Sequence, residues 1–288
     1  MTTEAVEAAL CLPPLPMSRA LRERLPDGSV DCHLHVFRDG APLATPRSYT
    51  PQMMTLADWR AFAEAAGIAR GVLVQPSVYG FDNQVMLEAL AETPGQLRGI
   101  AVIDPETPDA ELERLHAGGV RGVRCNTRNL GGLGFDLATT LARRVAPLGW
   151  SLQFQVLSEQ VDALAELAPT LGLPVVLDHL GFIDVEPPDV ALGRLRALLD
   201  AGDSYVKLSA PYRVGSAFGA PAVATITKGL AASHPERLLW GTDWPHTELW
   251  SNMPDDADLI DDLLALLGDG ELRRQIFVET PNRLFFQS

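Results

Sequence analysis

At 288 residues, with 47% hydrophobic and 21% charged side chains and a mean hydropathy of +0.06, the chain has the composition of a water-soluble globular protein. Thirty-seven acidic against 23 basic residues give a formal charge of −14, which argues against nucleic acid or anionic membrane as a partner, since both would repel it. No apolar stretch approaches the roughly 18 residues of a membrane span, and the opening MTTEAVEAALCLPPLP carries Glu4 and Glu7 where a secretory leader would carry Lys or Arg, so a cytoplasmic protein is expected.

Residues 1–29 read as a loose N-terminal arm and 30–288 as one domain. From residue 30 onward eight short runs rich in Val, Ile and Leu recur: VDCHLHVF (30–37), RGVLVQPS (70–77), RGIAVID (98–104), GVRGVRCN (119–126), SLQFQV (151–156), PVVLDH (174–179), SYVKLSA (204–210) and LLWGTD (238–243). Each has the length of a buried parallel strand. Helical patterns lie between them. In TLADWRAFAEAAG, Thr55 followed by Asp58 reads as a capping box, and in SEQVDALAELAPTLG, Ser158 reads as a cap and Gly172 as a stop. Strand and helix alternating eight times is the sequence form of an α/β fold, a single (β/α)8 TIM barrel, which needs about 250 residues. A doubly wound open sheet would carry a phosphate loop after its first strand, and HVFRDG is not one. The glycine-rich NLGGLGFD (129–136) reads as a flexible loop after the fourth strand.

A barrel gathers its chemistry at the C-terminal ends of its strands. In an extended first strand Asp31, His33 and His35 share one face, with Cys32 and Leu34 on the other. The sixth strand ends in His179, and the eighth in Asp243, followed by Trp244, Pro245 and His246. Buried imidazoles and carboxylates each need a partner, so this joint pattern points to a site rather than to packing. Asp243 is the candidate base for water, and His33, His35 and His179 are candidate donors to a carbonyl oxygen. The same four residues could instead ligate one divalent ion such as zinc. His116 and His234 lack such company, and helix-end or surface roles suffice for them. Cys11, Cys32 and Cys125 have neither the spacing nor the even count of a disulfide or zinc framework. Arg124, Arg128 and Arg213 fall at or just beyond strand ends, where their planar forks suit a carboxylate, and Ser77 ends the second strand as a substrate contact.

The stretches DCHLHVF, VLVQPSVYGFDN, LRGIAVIDP, GVRGVRCN, PVVLDHLG, VKLSAPYR and LLWGTDWPH together resemble the amidohydrolase superfamily, most of all its branch of lactone hydrolases that includes the pyrone dicarboxylate lactonases. The resemblance implies hydrolysis of the ester bond of a small anionic lactone with Asp243 as base. It also implies that Tyr49 and Ser77 assist Arg124, Arg128 and Arg213 in holding substrate acid groups, and Gln155 and His246 are expected to contact the substrate with them. Gln155 stands where that branch is expected to place a tyrosine. Two-metal members carry a bridging lysine or glutamate on the fourth strand and a histidine on the fifth; this chain has Arg124, Cys125 and Asn126 on one and Gln153 and Gln155 on the other. With Arg124 near the pocket, catalysis without a metal is expected. One zinc or other divalent ion, in a mononuclear lactonase or a decarboxylase, is the alternative, and a barrel that binds acidic metabolites without turnover is the non-enzymatic one.

Overall fold

The eight apolar runs become eight parallel strands: β1 (Val30–Leu34), β2 (Arg70–Val74), β3 (Leu97–Ala101), β4 (Val120–Asn126), β5 (Ser151–Gln155), β6 (Val175–Leu177), β7 (Ser204–Ser209) and β8 (Leu238–Gly241). They pair in sequence order in one sheet. Around it run α1 (Leu56–Ala66), α2 (Gln84–Glu92), α3 (Asp109–Ala117), α4 (Ala138–Val145), α5 (Val161–Leu171), α6 (Pro188–Asp200), α7 (Pro221–Ser233) and α8 (Asp256–Leu267). This computed structural model describes residues 8–268 and 270–287, and the first seven residues of the expected arm lie outside them. The architecture is the expected (β/α)8 barrel, and no helix among the described residues is long and apolar enough to cross a membrane.

The ring closes where β8 meets β1. Asp243 N donates to His33 O at 2.8 Å, His35 N donates to Trp244 O at 2.8 Å, and Leu34 bridges Trp244 in parallel register. Asp31 holds this seam. Its buried carboxylate accepts from Thr242 N (2.9 Å), Thr242 Oγ1 (2.6 Å) and His33 N (3.1 Å). Burial pushes its pKa up to about 6 in spite of those donors.

The expected alternation along β1 does not hold. Between Asp31 and Leu34 the chain advances three residues while its partner β2 advances two, from Gly71 to Leu73. This bulge breaks the period of two. Cys32 consequently joins Val30, Val72, Val74, Ile100 and Leu239 inside the barrel, Leu34 joins the outer core under the helices, and Asp31 turns to Thr242. His33 and His35 still converge, for the reason that one residue has been added between Asp31 and them. Below this inner cluster Phe285 seals the floor, and the guanidinium groups of Arg70 and Arg98 lie 4.7 and 5.0 Å from the ring centroid of Phe286.

Local signals are mostly realised. Thr55 and Asp58 form the reciprocal capping box of α1, and Gly172 ends α5 in the left-handed conformation, φ 68°. Ser158 does not cap α5. It opens a short 3-10 turn, Ser158–Gln160, and its hydroxyl accepts from Asp184 N at 3.2 Å. The arm is not loose over its described part: Cys11 N donates to Thr50 O, Leu12 N to Leu249 O, and Arg19 pairs with Asp258 and Asp261. The 129–136 loop folds back on the end of β4, with Asn126 N donating to Leu133 O at 3.0 Å. A side chain at Gly132 would put a Cβ 2.1 Å from Asn126 O, so that glycine serves close backbone approach.

Gly241 makes the seam testable. A Cβ there would stand 2.8 Å from both the backbone nitrogen and the Cβ of His33. Gly241→Ala should force β8 away from β1 and lower stability by about 1–3 kcal/mol, the usual scale for overpacking. Chemical denaturation would read this as an earlier midpoint; an unmoved midpoint would mean that the seam tolerates the methyl group.

Candidate active site

At the C-terminal end of the barrel the seam brings Asp243 against both first-strand histidines, and the end of β6 brings in His179. Asp243 and His179 adopt left-handed backbone conformations, φ 66° and 50°, which non-glycine residues keep only where surrounding structure holds them. The two oxygens of Asp243 are treated differently. Oδ2 accepts from Arg213 Nε at 2.6 Å and from Tyr212 OH at 2.7 Å. Oδ1 is buried and has no hydrogen-bond partner among the described residues. It is ringed by the Nε2 atoms of His179 (3.6 Å), His33 (3.7 Å) and His35 (3.8 Å). Burial alone would raise the Asp243 pKa, but Arg213 and then the imidazoles reverse this, and the carboxylate is held far below its ordinary range.

The far nitrogens decide what each ring can offer. His35 Nδ1 lies 2.7 Å from Val74 O, which can only accept, so the neutral ring carries its proton there and presents a lone pair at Nε2. His179 Nδ1 meets Ser209 Oγ at 2.9 Å, and a hydroxyl can donate or accept. His33 Nδ1 lies 3.3 Å from both Lys207 Nζ, a donor, and Asp178 Oδ1, an acceptor. His33 and His179 are therefore satisfied in either tautomer and can place a proton on Nε2, whereas neutral His35 cannot. Burial keeps all three rings neutral, lowering His35 to about 4, His179 to about 3 and His33 well below its usual value.

Behind them stands a buried layer that the sequence reading did not single out. Lys207 lies 2.8 Å from Gln153 Oε1 and 3.1 Å from Asp178 Oδ1, and it is fully buried. Burial would raise the Asp178 pKa, yet Lys207 and His33 hold it well down. The signal was a lone lysine in the apolar run SYVKLSA and an aspartate directly before His179. Tyr212 and Asp256 were also missed. His246, expected to touch substrate, instead sits fully buried between them, with Nδ1 2.8 Å from Tyr212 OH and Nε2 3.1 Å from Asp256 Oδ2. Burial would lower the His246 pKa, but Asp256 raises it, so a chain of groups from Asp256 through His246 and Tyr212 braces Asp243.

The expected anion-binding residues are placed around the same end but are unequally free. Arg213 spends its nitrogens on Asp243, on Thr247 O (2.8 Å) and on Glu248, 3.6 Å away. Arg124 donates to Gln75 O at 3.2 Å and to Gln155 Oε1, and Gln155 in turn donates to Asn129 at 2.8 Å. Arg128 stacks on Phe182, 3.8 Å from the ring centroid, and forms no ion pair among the described residues. Tyr49 is buried and bonded to Thr247, and Ser77 is buried at the start of the turn after β2.

The donor set fits one divalent ion. Ligands roughly 2.0–2.1 Å from a tetrahedral zinc stand about 3.3–3.4 Å apart, close to the separations around Oδ1, and both Asp243 Oδ1 and His33 Nε2 are buried without partners. Such an ion would be held by His33, His35 and Asp243, whose ligand atoms all lie within 4.8 Å of one another.

A family model described as Amidohydrolase matches residues 30–287. The chain is 34% identical to a 2-pyrone-4,6-dicarboxylate hydrolase of Comamonas testosteroni over 281 residues, covering 91% of this chain and 92% of that protein. It is 33% identical to a 4-sulfomuconolactone hydrolase of Hydrogenophaga intermedia over 303 residues, covering all of this chain and 98% of that one. A crystal structure of a probable 2-pyrone-4,6-dicarboxylic acid hydrolase from Acinetobacter baumannii with citric acid bound superposes with a TM-score of 0.78 at 28% identity, over 90% of this chain and all of that one. A (β/α)8 barrel whose first, sixth and last strands deliver an HxH pair, a histidine and an aspartate to one point, matched over nearly its whole length, belongs to the amidohydrolase family.

Proposed function

We propose that the protein hydrolyses the ring ester of a small anionic lactone. The observation that carries this reading is the split carboxylate of Asp243, with Oδ2 fixed by Arg213 and Tyr212 and Oδ1 open among three imidazoles. A water lodged there gives one proton to Oδ1 as its oxygen attacks the lactone carbonyl carbon. His33 and His179 donate from Nε2 to the carbonyl oxygen as it gains charge, and the lone pair of His35 accepts from the water and aims it. When the tetrahedral species collapses, the ring C–O bond breaks and the proton on Asp243 passes to the leaving oxygen. Ser209 does not compete as a nucleophile, because it bonds His179 from behind, at Nδ1, and is fully buried. The lactone hydrolases among the relatives support the reaction class, and Arg128 supports an acid group on the substrate.

A bound divalent ion would polarise the carbonyl and acidify the water at this point. We propose that turnover does not require one. Lys207, Arg124 and Arg213 already face Asp178, Asp243 and Glu248 at the site and Arg128 adds a fourth cation, so with neutral imidazoles its fixed charge is already positive, and a dication would add to that excess.

Asp243→Asn should lower kcat at least about a hundredfold, the scale of losing a general base, on whichever lactone in a panel of pyrones and muconolactones the parent opens. Near-normal turnover would reduce Asp243 to a structural role and sink the mechanism. Exhaustive chelation should leave kcat intact, with well under one equivalent of metal in the protein. Loss of activity restored by added zinc would make the histidines ligands.

The titrations give a third expectation. Because His35 and His179 titrate below the ordinary imidazole value near 6.5, an unfolded chain takes up protons between pH 6.5 and about 4 that the folded one refuses. Their contribution to stability therefore falls as pH drops through that window. Catalysis is spared, since Asp243 stays ionised and the rings neutral. The kcat/KM profile should run level from pH 8 to about 5, and an acid limb near 6.5 would show an imidazole titrating in the working range.

A further inference from the structure

Glu248 follows the last-strand motif by a few residues and sits among the groups expected to hold a substrate's acid groups. Its Oε2 lies 3.6 Å from Arg213 Nη1, and its Oε1 accepts from Asn129 Nδ2. Its charge also acts on Arg128 and on Tyr49. The side chain is 23% exposed, so it lies at the mouth rather than on the open surface. Two further features fix it there. Its backbone adopts φ 61°, a left-handed conformation, and its N–H donates to Cys11 Sγ at 3.2 Å, which ties the arm to this loop.

Asn129 extends the arrangement. Its Oδ1 accepts from Gln155, and Gln155 accepts from Arg124, so one continuous network runs from Glu248 through Asn129 and Gln155 to Arg124. Of the three arginines at this end, two are thus engaged by the protein's own acceptors. Arg128, stacked on Phe182, is the one that forms no ion pair among the described residues. A carboxylate lodged beside an arginine satisfies it as a substrate's carboxylate would, and it repels a second anion brought to the same place.

Resting on the lactonase reading, we propose that Glu248 is a specificity-determining residue that takes the place of one substrate acid group, so that the pocket selects lactones carrying a single anionic group, held by Arg128. The chain thereby departs from relatives named for a pyrone with two acid groups. The network is built for the difference: Gln155 is neutral and short of the mouth, and it passes the restraint on Glu248 back to Arg124 instead of reaching a ligand itself.

The test separates charge selection from turnover. Calorimetry on the parent and on Glu248→Gln would use benzoate and benzene-1,3-dicarboxylate, flat ring acids that cannot be hydrolysed, and kinetics would compare 2-pyrone-6-carboxylate with 2-pyrone-4,6-dicarboxylate. The parent should favour the monoacid in both assays, and Glu248→Gln should shift the diacid-to-monoacid ratio of affinity and of kcat/KM at least about tenfold toward the diacid. A ratio unchanged by the substitution overturns the proposal, as does a parent that already prefers the diacid or binds neither ring acid. Equal gains for both acids would make Glu248 a gate and likewise overturn it. If the ring acids behave as expected while the parent opens no lactone, charge selection stands and the lactonase reading falls.

Discussion

Two backbone hydrogen bonds, Asp243 N to His33 O and His35 N to Trp244 O, are the constraint on which the rest depends. They close the ring of strands, and they do so at residues of the candidate site. More than two hundred residues separate the partners, so the site does not exist until the whole barrel has closed. Asp31 reinforces the same junction with three hydrogen bonds, at the cost of a buried carboxyl whose pKa rises to about 6. The bulge in β1 belongs to this arrangement, since it lets Asp31 face the seam while both histidines face the pocket.

The electrostatics resolve an apparent conflict. A carboxylate held as far down as Asp243 is a weak base, yet it is assigned a proton. Its strength lies in position. Arg213 and Tyr212 fix one oxygen, which leaves the other aimed at a single point without conformational choice. In the proposed reaction neutral His33 and His179 stabilise charge on the substrate oxygen while His35 aims the water, and the three rings are held in defined environments by the Lys207 and Asp178 pair, Ser209 and Val74. Arg124 and Lys207 keep this region positive inside an acidic protein, which is possible because charges beyond about 8 Å are screened at physiological salt.

The barrel was legible because apolar runs and helical patterns alternate eight times, and each strand was found within a few residues. The four central residues were legible because imidazole and carboxylate at strand ends are costly to bury without purpose. What escaped was everything decided by three-dimensional pairing. The bulge leaves no mark in VDCHLH, so the face of Asp31 was misassigned. Ser158 carries a capping residue type but finds a better partner in Asp184 N across the chain. His246 follows the last-strand motif as a substrate contact would, and only Tyr212 and Asp256, distant in sequence or in role, turn it into a brace. Lys207 was visible merely as a lysine, since its three partners come from three other strands or their ends.

The sealed floor has a consequence for turnover. With Phe285 filling the lower end and Phe286 held beneath Arg70 and Arg98, substrate and product share the upper mouth. Opening a lactone creates a carboxylate that the ring ester did not have, so the product leaves with one more negative charge than the substrate brought in. That charge is born next to Asp243 and must pass Glu248 on its way out. Repulsion from Asp243 and Glu248 weakens the hold of this end on the product, and so it weakens product inhibition.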